Sequence, residues 1–448
     1  MKTIITLAAL FCGCCWSCRQ PAGQLAQRPP MGWNSWINYG TSVSEAEIEA
    51  TAAVMGEKLL PYGWEYVVID GGWYCPGMVS LEDYEHPAPN QVIDEYGRLV
   101  PDTARFPSAT GGKGFAPLAA AVHGMGLKLG LHIMRGIPIQ AVERNTPIKG
   151  TDYTARDIAN LTSRCEWYHG FYGIDMSKPG AQAYYDSIFE LYGEWGIDYV
   201  KADDLLAPVY AADEIEAIAN AAKRSSRPIM LSLSPGPAPV ENIAHLRKNA
   251  QLWRISDDFW DNWNSLKAQF DLCRKWARYS QPGSWPDADM LPIGPMGERA
   301  MRGSARTSYF TKDEHYTLLS LWAIFRSPLM LGCNLTKLDD FTLSLLTNRD
   351  VIRVNQYGAN NREAYRQDGF IGWLADDPDD QSHYLAVFNL NDREETHTFD
   401  MTAMGLSGTY YVRELWTGGE LPEVRGQLAA AVNPHGAKLF KLKPLKNQ

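Results

Sequence analysis

The stretch IDYVKADDL, Ile197 to Leu205, combines an apolar run with a charged end. It begins as an apolar run typical of a buried strand and ends in the charged residues Lys201, Asp203 and Asp204. An unpaired ion loses its hydration in an apolar interior, so a buried strand tolerates charge poorly. The stretch therefore predicts a buried strand whose carboxyl end either reaches solvent in a loop or lies at the mouth of a functional site.

Short apolar strands of this kind alternate with longer amphipathic stretches from about residue 30 to residue 350. The predicted strands are MGWNSW (31–36), YVVIDGGW (66–73), LKLGLHIM (127–134), DYVKADD (198–204), IMLSLSP (229–235), QLWRISDD (251–258), WPDADML (285–291) and FRSPLMLG (325–332). Helices are predicted between them, for example over 44–59, 181–196 and 212–226. This alternation favours a (β/α)8 barrel over a doubly wound sheet, and no GxGxxG loop follows the first strand.

After Asn355 the pattern changes to short alternating segments, such as FIGWLA, HYLAVFNL, THTFDMT, GTYYVRELW and KLFKLK, separated by turn residues. Such segments are typical of antiparallel strands. The sequence thus predicts a barrel domain over 28–355 and a C-terminal antiparallel β-sandwich over 360–448.

The first eighteen residues, MKTIITLAALFCGCCWSC, have the composition of an export signal. Their apolar run is shorter than the ~20 residues that a membrane span needs. The pattern resembles a bacterial lipoprotein signal, with Cys18 favoured over Cys14 as the lipidated residue, although an ordinary cleaved signal is the alternative. We expect an exported protein, periplasmic or anchored to the outer membrane, that meets a membrane only through this lipid.

Composition excludes several classes of function. The net charge of −10, with no basic stripe, argues against nucleic acid as a partner. The remaining cysteines, Cys75, Cys165, Cys273 and Cys333, form no CxxC pair, so they are either buried thiols or members of disulfides formed after export. The nine histidines include no HxH or HExxH, and there is no GxSxG. We therefore predict no metal, no other cofactor and no serine nucleophile; the oligomeric state stays open.

Polar side chains gather at the carboxyl ends of the predicted strands, which meet on one face of a parallel barrel, where active sites lie. They are Trp36, Asp70, His132, Arg135, Lys201, Asp203, Ser234, Arg254, Asp257, Asp258, Asp287 and Asp289. A set so rich in carboxylates suits cleavage of a glycosidic bond. There, one Asp attacks the anomeric carbon and a second, about 5–5.5 Å away in retaining enzymes, protonates the leaving oxygen.

Six motifs in consecutive order resemble those of glycoside hydrolase family 27, the retaining α-galactosidases and α-N-acetylgalactosaminidases. They are PPMGWNSW (29–36), VIDGGW (68–73), GLKLGLH (126–132), YVKAD (199–203), WRISDDFWDNW (253–263) and WPDADMLPIG (285–294). The resemblance implies a catalytic (β/α)8 barrel, a C-terminal sandwich and a cofactor-free double displacement. It also implies an oligo- or polysaccharide substrate with an α-linked terminal sugar.

The resemblance further implies roles for individual residues. Asp203 corresponds to the family's nucleophile, and Asp258, four positions after Arg254, corresponds to its acid/base and is favoured over Asp257. Asp204 is expected to be a loop or helix-cap residue. The residues expected to bind the sugar are Trp36, Asp70, His132, Lys201, Ser234, Arg254, Asp289 and Met290.

Three positions depart from the family's galactose pattern. Gly71 stands where a second Asp helps to grip the 4- and 6-hydroxyls of galactose, His132 stands where a Tyr is common, and Ser234 takes the place of a Glu. Because buried polar partners decide discrimination between substrates, these changes weaken the basis for galactose specificity. His132 and Arg135 are either new sugar ligands or a structural histidine and a surface arginine.

We expect an exo-acting α-galactosidase. The alternatives are an α-glucan-cleaving, isomaltose-releasing enzyme, a pentopyranosidase, an N-acetylgalactosaminidase, or a non-catalytic carbohydrate-binding lipoprotein. Retention of both Asp203 and Asp258 argues against the last of these, because binding alone does not require that pair.

Overall fold

The computed structural model describes residues 25–78, 83, 90–301 and 303–445. The predicted export signal over 1–18 lies outside these ranges. Among the described helices, none is both long and apolar enough to cross a membrane.

Eight parallel strands form the sheet of the first domain and follow one another in chain order around it. From residue 25 to the end of this domain, the strands are β1 (Met31–Asn34), β2 (Tyr66–Ile69), β3 (Lys128–Met134), β4 (Ile137–Pro138), β5 (Ala159–Arg164), β6 (Phe171–Ile174), β7 (Tyr199–Asp203), β8 (Met230–Leu233), β9 (Leu252–Arg254), β10 (Trp285–Asp287), β11 (Pro295–Met296), β12 (Arg306–Thr307) and β13 (Leu329–Leu331). The sheet runs β13-β1-β2-β3-β7-β8-β9-β10, and a parallel bridge between Leu291 and Leu331 brings its two edges together. The predicted (β/α)8 barrel is confirmed.

Helices occupy the connections between these strands. Within the described ranges they are α1 (Trp36–Tyr39), α2 (Glu45–Lys58), α3 (Ala116–Gly124), α4 (Ile139–Arg144), α5 (Ala155–Ile158), α6 (Ala181–Trp195), α7 (Ala212–Arg224), α8 (Ile243–Asn249), α9 (Trp263–Trp276), α10 (Lys312–Phe325), α11 (Asp340–Leu346) and α12 (Arg349–Tyr357). Short 3-10 turns lie at 60–62, 107–109, 240–242, 277–279 and 335–337.

Local sequence explains where the helices begin and end. Helix α2 starts at a capping box in which Ser44 and Glu47 satisfy each other's backbone N–H groups. Helix α6 ends at Gly196, whose φ of 81° lies in the left-handed region that glycine adopts without steric cost. The chain then enters β7, which delivers Lys201 and Asp203 to the carboxyl end of the barrel.

The connection from β3 to α6 carries a small additional sheet that the sequence analysis did not predict. Strands β4, β6 and β5 pair antiparallel in that order. The loop between β5 and β6 contains Glu166 and Trp167, and both residues line the main cavity of the barrel. This sheet, β4–β6, is called the inserted sheet below.

The second domain is an antiparallel β-sandwich, as predicted. Its strands are β14 (Ala359–Gln367), β15 (Phe370–Asp376), β16 (His383–Asn389), β17 (Glu395–Asp400), β18 (Thr409–Glu414), β19 (Glu420–Arg425), β20 (Gln427–Val432) and β21 (Ala437–Pro444). Six of them form the sheet β14-β15-β16-β21-β18-β19, and β17 pairs with β20. One face of the larger sheet, with Leu374 and Leu385, contributes to the sandwich core, and the other, with Trp373 and Phe388, joins the core of the barrel domain. Because both faces are buried, β15 and β16 are apolar apart from polar residues at their ends rather than alternating.

Four cysteines lie in the described part of the chain. Cys75, Cys165, Cys273 and Cys333 are all free and buried. The alternative of buried thiols therefore holds for them, and burial raises the pKa of each one.

Candidate active site

Asp203, the predicted nucleophile, ends β7 and accepts three hydrogen bonds. Its Oδ2 lies 3.0 Å from Nε2 of His132, and its Oδ1 accepts from Ser234 Oγ at 2.9 Å and from the backbone N–H of Asp204 at 3.0 Å. An ionised carboxylate can only accept, so Nε2 of His132 must carry the proton. Burial alone would raise the pKa of Asp203, but the hydrogen bond from His132 and the attraction of His132 and Lys201 hold it well below its ordinary value. Asp203 is therefore ionised throughout the physiological range.

Asp70, at the end of β2, is buried and fully engaged by its neighbours. Its Oδ2 accepts from Lys201 Nζ at 2.8 Å and from Asn34 Nδ2 at 2.7 Å, and its Oδ1 accepts from the backbone N–H of Gly71 at 2.8 Å. Burial favours a raised pKa for Asp70, but Lys201 and His132 outweigh it and the pKa is lowered. Lys201 thus lies between two ionised carboxylates, Asp70 and Asp203, which raise its own pKa despite its burial.

A second ionic cluster surrounds Arg254 at the end of β9. Nη1 of this buried arginine is 2.8 Å from Asp289 Oδ1, and Nη2 donates to Asp258 Oδ1 at 3.3 Å. Burial, with the negative charges of Asp258 and Asp287, raises the pKa of Asp289 to about 7, although Arg254 opposes the shift. Asp257 instead accepts the backbone N–H of Asp258, at 2.8 Å.

One cavity of about 460 Å³ joins these clusters, a volume within the range of small-molecule sites. Asp203 and Asp258 both line it, and the Asp258 side chain is 39% exposed at this position. The full lining comprises Trp36, Asp70, Glu166, Trp167, Lys201, Asp203, Ala207, Pro208, Pro235, Gly236, Pro237, Asp257, Asp258 and Met301. The arrangement brings an ionised, buried carboxylate and a partly exposed carboxylate to the same small-molecule-sized space.

Four predicted sugar-binding residues lie deeper in the barrel. Ser234, Arg254, Asp289 and Met290 line a separate space of about 20 Å³ rather than the large cavity. Lys201 borders both spaces. In the structure, Ser234 and Arg254 contact the two predicted catalytic carboxylates, Asp203 and Asp258 respectively.

His132 and Arg135 lie behind the cavity wall. His132 is 1% exposed and does not line the large cavity. Arg135 is buried too, with Nε 2.9 Å from Asp204 Oδ2 and Nη1 2.8 Å from Glu214 Oε1. It is therefore not a surface arginine, and Asp204 lies in a loop but is buried against this cation.

The residues that sequence reasoning missed come from the inserted sheet and from loops. Glu166, Trp167 and Met301 line the cavity although none of them follows a barrel strand. The signal available in the sequence was the length of the segment between β3 and α6, 135–180, which exceeds an ordinary βα connection. In the described part of the chain, no group of three or more His, Cys, Asp or Glu side chains is arranged to hold a metal ion.

Comparison with known proteins supports this architecture. Residues 170–357 match the family model described as alpha galactosidase A, and residues 368–442 match that of the alpha galactosidase C-terminal beta sandwich domain. Alpha-galactosidase 2 of Arabidopsis thaliana is 28% identical over 426 residues, covering 93% of this chain and 90% of the relative.

Solved structures include a nearer relative. A β-L-arabinopyranosidase of glycoside hydrolase family 27 from Geobacillus stearothermophilus is 47% identical and superposes with a TM-score of 0.93, covering 95% of this chain and 99% of that one. A variant of that enzyme in complex with arabinose has the same identity and coverage and a TM-score of 0.92.

Proposed function

This chain belongs to glycoside hydrolase family 27 and is a glycosidase, and from that premise we propose that it removes terminal β-L-arabinopyranosyl residues by a retaining, exo-acting mechanism. β-L-Arabinopyranose has the ring configuration of α-D-galactopyranose and differs from it only in lacking the hydroxymethyl group on C5. The proposal thus selects the pentopyranosidase among the alternatives that the sequence left open.

The observation that carries this proposal is the environment of Gly71. A Cβ atom placed there would lie 3.4 Å from Nδ1 and Cε1 of His132 and 3.9 Å from Cζ3 of Trp36. The rings of His132 and Trp36 therefore border the space that the family's second aspartate would enter. Asp70 remains beside it, but two of its three hydrogen bonds are with Lys201 and Asn34. A wall with one carboxylate fewer suits a sugar that has no 6-hydroxyl to bind.

The two carboxylates divide the chemistry between them. An oxygen of Asp203 forms a bond to the anomeric carbon while the bond from that carbon to the leaving oxygen breaks. The leaving oxygen takes the proton of Asp258. In the second step, the Asp258 carboxylate removes a proton from water, whose oxygen displaces Asp203 with net retention. The low pKa of Asp203 keeps the attacking group ionised, and the partial exposure of Asp258 suits a group that must meet both the leaving group and water.

Lys201 and Ser234 position Asp203 in this scheme. Ser234 fixes one carboxylate oxygen with its hydrogen bond, and the charge of Lys201 stabilises the ionised form. No cofactor enters either step.

The test compares 4-nitrophenyl β-L-arabinopyranoside with the α-D-galactopyranoside, which differ only in the C5 substituent. We expect kcat/KM to favour the arabinoside by about tenfold or more, in line with the discrimination that a single small substituent supports. The α-D-glucopyranoside is the C4 epimer of the galactoside and tests the isomaltose-releasing alternative. The Asp203→Asn variant gives the background rate. Equal or faster cleavage of the galactoside would return the assignment to α-galactosidase, the second candidate, which the curated relatives favour. Inertness toward the whole panel would leave the carbohydrate-binding alternative.

We also propose that the chain is exported and lipidated at Cys18. Labelling of cells with a radioactive fatty acid should give a labelled protein that Cys18→Ser abolishes and Cys14→Ser does not. The reverse pattern would assign the anchor to Cys14. If the wild-type protein itself is not labelled, the alternative of an ordinary cleaved signal remains.

A further inference from the structure

Several wall residues of the active-site cavity have no role in the mechanism, and two of them are neighbours in one loop. Glu166 and Trp167 come from the loop of the inserted sheet and not from a strand end of the barrel. Trp167 is half-buried and packs against the main core, which supports its ring on one side. Glu166 is exposed, and no hydrogen bond or ion pair joins its carboxylate to another residue in the part of the chain that the structure describes.

The volume of the cavity exceeds what the terminal sugar needs. A pentopyranose has ten non-hydrogen atoms and, at a generous ~30 Å³ for each, takes up at most about 300 Å³. The cavity measures about 460 Å³. With the terminal sugar held against Trp36, Asp70, Lys201 and Asp203, room therefore remains toward the rest of the wall.

The mechanism indicates what fills this remaining space. The leaving oxygen must lie at Asp258 when it takes its proton, so the group attached to that oxygen occupies the part of the cavity that the terminal sugar leaves free. Trp167 offers an aromatic face for the C–H face of a second sugar, and Glu166 offers acceptors for its hydroxyl groups. We infer that Glu166 and Trp167 form a subsite for a sugar leaving group, an inference that rests on the proposed exo-acting mechanism.

The charge of the wall narrows the class of leaving group further. The lining of the cavity contains one cationic side chain, Lys201, and five carboxyl side chains: Asp70, Glu166, Asp203, Asp257 and Asp258. Glu166 and Asp257 are exposed, so their negative charge acts on a leaving group that enters the mouth of the cavity, whereas Asp258 carries the proton that it donates. The leaving sugar is accordingly a neutral one, and a uronic acid in its place is repelled.

The subsite is tested with pairs of substrates that share the terminal sugar. β-L-Arabinopyranosyl fluoride has a single-atom leaving group that needs no subsite, whereas a β-L-arabinopyranosyl-glucose disaccharide fills it. Trp167→Ala should lower kcat/KM for the disaccharide roughly tenfold and leave that for the fluoride unchanged, and Trp167→Phe should recover most of the loss. An equal loss on both substrates, or no loss on either, would overturn the inference.

Glu166→Gln tests the charge argument. In the wild type, a disaccharide with glucuronate as the leaving sugar should be cleaved more slowly than the glucose disaccharide, and Glu166→Gln should narrow that ratio roughly fivefold. An unchanged ratio would refute the role of Glu166. If the wild type cleaves galactosyl fluoride and not the arabinosyl compound, the proposed sugar specificity fails, and the same comparisons on galactosyl pairs still decide the subsite.

Discussion

The replacement Gly71→Asp restores the carboxylate that the family's galactose pattern carries beside Asp70, and it should shift specificity toward hexosides. The backbone accepts the change, because Gly71 does not have a positive φ. A Cβ atom at this position meets ring atoms of His132 at 3.4 Å, which is ordinary van der Waals contact, so the Cβ atom itself fits. The introduced carboxylate would then border the same wall as Trp36, where the C5 hydroxymethyl of a galactoside is expected to lie.

The magnitude follows from one charge-assisted hydrogen bond. Such a bond contributes about 1.5–3 kcal/mol, which corresponds to a factor of about 10–150 in the ratio of kcat/KM for the galactoside to that for the arabinoside. Nδ1 of His132 is buried without a hydrogen-bond partner among the described residues, and in the neutral ring that donates from Nε2 it is an acceptor, which disfavours an ionised carboxylate beside it. The lower end of the range is therefore expected.

The assay measures both 4-nitrophenyl glycosides on the same enzyme preparation, since damage to shared steps cancels in the ratio. Gly71→Ala is the matched control, because it adds the Cβ and its contact with His132 but no hydrogen-bonding group. We expect the ratio to rise for Gly71→Asp and to stay near the wild-type value for Gly71→Ala. A ratio that does not rise in an Asp variant that still cleaves the arabinoside would refute the account of Gly71.

Three further predictions concern Asp203, its hydrogen bond with His132, and the buried ion pairs of Arg135. Asp203→Ala should lower kcat/KM by at least about 10⁴-fold, and azide should restore turnover with a glycosyl azide of inverted configuration; absence of that product would contradict the nucleophile assignment. His132→Phe removes the main interaction that counters burial, so the pKa of Asp203 rises and the acid limb of the kcat/KM profile should move to higher pH; an unmoved limb would contradict this. Arg135→Met leaves the buried carboxylates of Asp204 and Glu214 without their cation and should cost about 3–5 kcal/mol in urea unfolding at pH 8. Burial raises the folded-state pKa of Asp204 to about 7, so stability is lost as pH rises toward that value, and the variant's deficit should be smaller at pH 5; an equal deficit at both pH values would exclude this origin.

The barrel was predictable from sequence because its strands carry their own signal. Strands buried on both faces form nearly continuous apolar runs, and β2 shows this clearly. The inserted sheet lacks such apolar runs, because β4 has only two residues and β5 is largely exposed. In the sandwich, β14 and β19 are polar strands at the two edges of the larger sheet, and β19 contains Pro422, which argues against a strand in a sequence-based analysis.

The candidate site also contains residues that the sequence predicts and residues that it does not. Asp203 and Asp258 follow strands, so their position alone predicts a place on the active face. The burial of Arg135 depends on Asp204 and Glu214, and Glu214 lies on helix α7, about eighty positions along the chain. Glu166 and Trp167 reach the cavity through a loop whose path no local pattern indicates. The sequence pattern does not predict which residues distant along the chain contact one another.

His132 links the choice of sugar to the charge of the nucleophile. One side of its ring donates to Asp203, and the other borders the space at Gly71. A side chain at position 71 would contact the ring whose hydrogen bond helps to keep Asp203 ionised, and the larger ring of a tyrosine at position 132 would enlarge the contact with Gly71. A substitution at either position therefore acts on the other, so the departures of Gly71 and His132 from the galactose pattern are physically coupled.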